Sequence, residues 1–242
     1  MRLYEMIDSN KILLLPANFD PIRRNSINSQ ISYYKKLMRQ PQTEEHKKIT
    51  QQYLEDALEE LTYLESLPEG SLEKLATKIK VECRDFYNAF KKCDKVLFRG
   101  YKYKHPPAFE SMSPVNREPK DSDVNNTILF DKFAQELGIE ALRSNSIFTI
   151  SSECHARYYG ILFVIYPKDT ADFSWSESRR EIILYLEHKA GFKDLKSFQE
   201  IYKLKKTDLD AALKSEHEVL IHGRYIAIKY QVYEDMIKEK LL

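Results

Sequence analysis

Glycine is scarce in this chain: six of 242 residues. No two of them fall in the G-x-G or G-x-x-x-x-G-K spacing of a phosphate-cradling loop, so any nucleotide would have to be held by side chains. Cysteine is equally sparse. Cys83, Cys93 and Cys154 are odd in number and irregularly spaced, which excludes a disulfide framework or a C-x-x-C metal clasp and fits a reducing, cytoplasmic setting. His155, His188 and His222 show no ligand spacing either, and no metal is expected. Charge of one sign is missing as well: 38 basic against 37 acidic residues give no global field toward nucleic acid or anionic lipid. No hydrophobic run is long enough to span a bilayer. Ile12 to Leu15 is far too short, Ile161 to Tyr166 reads as a buried strand, and Met1, Arg2, Tyr4 and Glu5 lead into no apolar core of signal-peptide length. No membrane association is expected. Internal repeats and low-complexity segments are absent too.

What the chain does have is core-forming material, with 43% hydrophobic residues, 16 Tyr and 12 Phe. The front section reads as helical. Ser26 to Met38 and Thr43 to Leu67 are separated by Pro41. Ile49, Tyr53, Leu54, Ala57, Leu58, Leu61 and Leu64 recur at three- and four-residue spacing in the second helix, with Thr43 as its N-terminal cap. Pro68-Glu69-Gly70 is a turn, and Ser71 opens a third helix that ends near Phe90. No sustained heptads mark a coiled coil. The front section, residues 1–92, is therefore expected to form a hairpin or small bundle that supplies packing, self-association or a partner contact.

From Asp94 the pattern becomes strand-like. Lys95 to Gly100 is a short apolar run ending on Arg99-Gly100, followed by the aromatic and basic stretch Tyr101 to His105, which could stack a nucleobase or form a strand edge with solvated lysines. Ala108 to Asn126 reads as a long ordered loop, with Asn116 to Asp121 a candidate substrate loop. Asp131 to Leu137 is helical and stops at Gly138. Strands are expected at Ser146–Ser151, Ile161–Tyr166 and around Phe173-Ser174-Trp175, with Trp175 a core anchor. Helices are expected over 177–189, 194–204 and 208–214. Last come Glu216-His217-Glu218-Val219-Leu220-Ile221 and a strand over Tyr225–Tyr230. In an extended chain Glu216 and Glu218 would face one side and His217 the other.

Phe98-Arg99-Gly100, Thr149-Ile150-Ser151 leading into a helix, and Glu216-x-Glu218-Val-Leu-Ile occur in this order. Together they resemble the Arg-Ser-Glu type of the mono-ADP-ribosyltransferases, as found among phage effectors and bacterial toxins. Thr149 stands for the first Ser of the Ser-Thr-Ser strand and Ile150 for its Thr, and Ser152 offers a second register. The resemblance covers residues 93–242. It implies an α+β chain: a helical N-terminal extension, then a split mixed β-core, the ADP-ribosyltransferase-like domain, whose cleft binds NAD folded back on itself. NAD would be a consumed substrate rather than a resident cofactor. In that family the second Glu of the pair is catalytic. The resemblance therefore assigns Glu218 to stabilising the positive ribose of an oxocarbenium-like transition state, and Glu216 to recruiting or deprotonating the acceptor. Arg99 and Gly100 would meet the NAD diphosphate or ribose, and Thr149 and Ser151 would orient Glu218. Arg143, before the second motif strand, could bind an NAD phosphate or simply sit in a capped turn. The acceptor is expected to be a macromolecule, a protein side chain or a nucleic-acid base. The rival expectation is a catalytically silent binding or assembly protein that uses its front helices as a contact surface.

Overall fold

The structure, a computed structural model, describes residues 12–13, 21–40, 43–65, 71–102, 105–117, 124–180 and 194–242. Its contacts divide the chain into two compact units, one of residues 14–77 and 235–242, the other of 1–13 and 78–234.

The smaller unit is helical. Helix α1 (Pro21–Met38) carries Pro at its first position, where a missing N–H costs nothing, and packs on α2 (Glu44–Glu65). Thr43 caps α2 as expected, its Oγ1 accepting the His46 N–H at 3.3 Å. Tyr34 stacks on Tyr53 with ring centroids 5.8 Å apart. The apolar stripe of α2 is only partly used. Ala57 is buried, but Ile49 and Tyr53 stay 46% and 53% exposed, where periodicity alone would have buried them. Helix α3 (Ser71–Glu82) follows.

In the larger unit α4 (Arg84–Cys93) buries Phe86, Ala89 and Phe90 at helical spacing and stops where Asp94 turns left-handed, φ 50°. The strands are β1 (Ile12–Leu13), β2 (Leu97–Tyr101), β3 (Ala108–Met112), β4 (Ile147–Ile150), β5 (Ile161–Pro167), β6 (Asp172–Ser176), β7 (Leu204–Lys205), β8 (Glu218–His222) and β9 (Arg224–Lys229). Between them lie α5 (Val124–Glu136), α6 (Glu153–Arg157), α7 (Leu195–Tyr202) and α8 (Leu209–Ser215), with α9 (Tyr230–Lys238) last. Among the described residues the strands form one sheet in the order β1-β3-β9-β5-β2-β4-β8-β6-β7.

The chain is thus α+β, as expected, but the sheet is not mixed: every described pairing is antiparallel. The expected loop over Ala108–Asn126 is also corrected. Ala108 to Met112 is strand β3, paired along its length with β9, and α5 starts at Val124. Its residues Ala-Phe-Glu-Ser-Met lack β-branched side chains, and pairing with the buried Ile226-Ala227-Ile228 run overrides that weak propensity. Most of the helix expected over 177–189 lies outside the described residues.

Two sets of strands meet at a seam. On one side β2, β5, β9 and β3 pair over five residues each; on the other β4 and β8 pair over four. Between them β2 and β4 share the single pair Phe98↔Ile150. At one end of the sheet short connections cross from one side to the other, through residues 168–171 and through Gly223. Gly223 has φ 115°, and a Cβ there would come 3.1 Å from Ala171 Cα. Both sides are buried. On the first, Phe163, Val164, Ile165, Ile226 and Ile228 are fully buried, alternating between the two faces of β5 and β9. On the second, Phe130, Phe133, Phe198 and Tyr202, from α5 and α7, form a core cluster with Leu220. Trp175 is buried as expected, its Nε1 donating to the Thr207 carbonyl at 2.9 Å.

Candidate active site

The three motif strands stand side by side as β2-β4-β8. Arg99 sits next to the seam. With β2 and β4 paired only at Phe98↔Ile150, its Nη1 reaches across and donates to the Phe148 carbonyl at 2.9 Å, while its guanidinium lies 5.2 Å from the Tyr101 ring. Its buried Nε has no hydrogen-bond partner.

Thr149 is 2% exposed, and its Oγ1 donates to the Val219 carbonyl at 2.8 Å. The hydroxyl therefore fixes the backbone just after Glu218 rather than touching the carboxylate. Ser151 is buried and its Oγ has no partner.

Register places Glu218 opposite Ile150, and Ile150 opposite Phe98, so these three share one face of the sheet. Thr149 and Val219 occupy the other face by alternation. The cation that meets Glu218 is Arg143: Nη1 lies 3.8 Å from Oε2, and Arg143 is only 4% exposed. The Arg143 guanidinium also sits 4.9 Å from the Phe148 ring. Arg99 and Arg143 thus converge on one residue, the first on its carbonyl and the second on its ring.

Arg143 is held by its backbone. Asp131, buried in α5, accepts the Arg143 N–H at 2.8 Å and the Ser144 N–H at 3.1 Å. Asn145 Oδ1 accepts the Leu142 N–H, and His222 Nδ1 donates to the Asn145 carbonyl at 3.0 Å. The capped turn expected at 143–145 is present, and its side chain is aimed at Glu218. Arg117 comes from the other side of the seam, after β3. Its N–H donates to the Ser144 carbonyl at 2.5 Å, and its guanidinium lies 4.3 Å from the Phe148 ring.

Glu216 departs from expectation. It does not share a strand with Glu218, because β8 begins at Glu218. Glu216 is the left-handed residue that ends α8, φ 56°, so strand alternation does not apply to it. Its carboxylate pairs with Lys95 at 3.2 Å and Arg180 at 3.9 Å and is 44% exposed. His217 turns away, Nδ1 donating to the Ser176 carbonyl at 2.7 Å.

Gly100 is required by packing. A Cβ there would lie 2.4 Å from the Ala156 carbonyl oxygen and 2.8 Å from Tyr159, so the turn after α6 sits directly on it. Tyr101 is partly buried: its ring meets His105, Phe109 and Phe163 edge-on, and burial pushes its phenol well above the ordinary range. Its ring is thus engaged with its own aromatic neighbours. Residues 118–121 of the candidate substrate loop lie outside the described residues.

Sequence reasoning named Arg99, Arg143 and Glu218 but missed Phe148, Arg117 as a neighbour of Arg143, and Asp131. Arg117 was visible only as part of a loop. Asp131 carried no signal, since nothing in a helical stretch says which backbone its carboxylate will cap. Among the described residues no cluster of His, Cys, Asp or Glu could hold a metal, and no helix is long and apolar enough to cross a membrane. A groove of about 380 Å³ lined by Met38, Lys47, Lys48, Gln51, Gln52 and Glu55 belongs to the helical unit and holds none of the motif residues. No family model, curated protein or solved structure matches the chain.

Proposed function

We infer that this protein is a mono-ADP-ribosyltransferase that consumes NAD, releases nicotinamide and joins ADP-ribose to a macromolecular acceptor. The reading rests on one observation: the Arg, Thr-x-Ser and Glu segments occupy three neighbouring strands at the seam of the sheet, where β2 and β4 share a single residue pair. Arg143 meets Glu218 there, while Arg99, which alternation puts on the other face from Glu218, reaches the Phe148 carbonyl across the seam. A split sheet with side chains in place of a glycine loop is what the resemblance asks for.

In this reading the glycosidic bond between the ribose and nicotinamide breaks, and its electron pair leaves with nicotinamide. Positive charge then builds on the ribose, and Glu218 stabilises it. Arg99 positions the nicotinamide ribose of NAD, since a guanidinium forks onto oxygens and stays charged. Thr149 keeps the Glu218 backbone in place through Val219. Glu216, more exposed and outside the strand, meets the acceptor, whose nucleophile bonds to the ribose carbon and gives up its proton.

Incubation with NAD labelled in the adenosine part tests this. Transfer predicts label on protein or nucleic acid that is lost in Glu218→Gln. Absence of both label and nicotinamide release across lysate, RNA and DNA overturns it. That outcome favours the rival, a silent binding protein, for which the exposed Tyr33, Ile49 and Tyr53 of the helical unit speak.

A further inference from the structure

Arg143 is 4% exposed, yet its Nε and Nη1 have no hydrogen-bond partner. Buried guanidinium donors without acceptors are costly and are normally satisfied. The buried carboxylate of Asp131 spends its oxygens on the Arg143 and Ser144 backbone. Glu218 lies at ion-pair distance, 3.8 Å. A second guanidinium, that of Arg117, sits on the same Phe148 ring, 4.3 Å from its centre against 4.9 Å for Arg143. Two guanidiniums thus sit on one ring, drawn from opposite sides of the seam, and the buried donors of Arg143 are the unsatisfied ones. Each would gain by sharing a doubly anionic group.

We propose that Arg117 and Arg143, braced on Phe148, form a clamp for a diphosphate group, and that this is where the dinucleotide's two phosphates sit. The identity of the ligand rests on the transferase reading; the clamp itself does not. Burial of Arg143 selects a small anion over the backbone of a polymer. Asp131 is the positioning residue, since it holds the backbone that aims Arg143.

Calorimetric titration of the full chain with inorganic pyrophosphate, ADP-ribose and a single-stranded oligonucleotide tests the clamp at fixed ionic strength. Pyrophosphate and ADP-ribose should bind competitively. Arg117→Gln, which alters the less buried partner, should weaken both about tenfold or more with an unchanged melting temperature. Glu218→Gln should bind pyrophosphate as tightly as the wild type or more tightly, because a negative charge facing Arg143 is gone. Unchanged affinity in Arg117→Gln, tighter binding of the oligonucleotide than of ADP-ribose, or no binding of pyrophosphate by the wild type overturns the clamp. The two readings fail separately. Pyrophosphate binding lost in Arg117→Gln, with no nicotinamide released from NAD, sinks the transferase and keeps the clamp. Nicotinamide release with the same KM for NAD in Arg117→Gln sinks the clamp and keeps the transferase.

Discussion

Arg143 Nη1 stands 3.8 Å from Glu218 Oε2, and the arginine is the more deeply buried of the two, its side chain 4% exposed against 18%. The carboxylate thus faces a neighbour that cannot lose its charge.

Replacing that carboxylate gives the first prediction. A carboxylate about 4 Å from a developing positive charge is worth about 4 kcal/mol at an effective dielectric of 20, close to three powers of ten in rate. Glu218→Gln should lower nicotinamide release by about that factor with an unchanged circular dichroism spectrum. Wild-type rates in the variant would remove Glu218 from the chemistry.

Glu216 should behave differently. It is 44% exposed, ends α8 and pairs with Lys95 and Arg180. Glu216→Gln is expected to keep NAD hydrolysis by water within about threefold while lowering transfer to the acceptor about a hundredfold, within the range of general-base contributions. Parallel loss of both activities would contradict the division of labour.

Thr149 ties β4 to β8 with a buried hydroxyl bond to the Val219 carbonyl. Thr149→Val keeps the shape and removes the donor, so stability should fall by about 1 kcal/mol. Urea denaturation measures this. A change near zero would mean that the bond does not hold the strand.

Gly100 has no room for a methyl group. With Ala156 O at 2.4 Å, a backbone atom that cannot swing aside, Gly100→Ala should cost roughly 1–3 kcal/mol, read as a lower melting temperature. An unaffected melting temperature would show that α6 is free to lift off β2.

A charge network away from the site sets the acid response of the fold. Lys168 bonds Glu82 at 2.6 Å and also pairs with the buried Glu110; Lys78 reaches Glu82 at 2.9 Å and Glu110 at 3.4 Å. Burial works to raise the Glu82 pKa, but hydrogen bonds from Lys168 and Lys78 outweigh it and hold the carboxyl below its ordinary 4.5. Since the folded value is the lower one, its stabilisation is whole above pH 4.5 and is lost as pH falls through the folded value. The urea midpoint should drop across that window, and Glu82→Gln should flatten the drop. An identical slope in the variant would place the acid sensitivity elsewhere.

Features set by near neighbours were open to sequence reading. The Thr43 cap, the stop of α5 at Gly138 and the buried strand after Gly160 follow from residues a few positions apart. So does the order of Arg99, Thr149-x-Ser151 and Glu218. Strand β3 was missed because its propensity is weak and its partner, β9, lies far along the chain. The Glu216–Glu218 alternation failed because periodicity cannot show where a helix hands over to a strand.

The amino-acid sequence alone determined most of the helices and strands, β3 and the start of β8 excepted, and that a nucleotide could not rest on a glycine loop. Tertiary structure decided which charges meet. Arg143 faces Glu218 and Arg117 joins Arg143 on Phe148 because β4 pairs with β8 on one side and barely with β2 on the other. That register follows from which strand faces are buried against distant parts of the chain, which no local stretch of residues specifies.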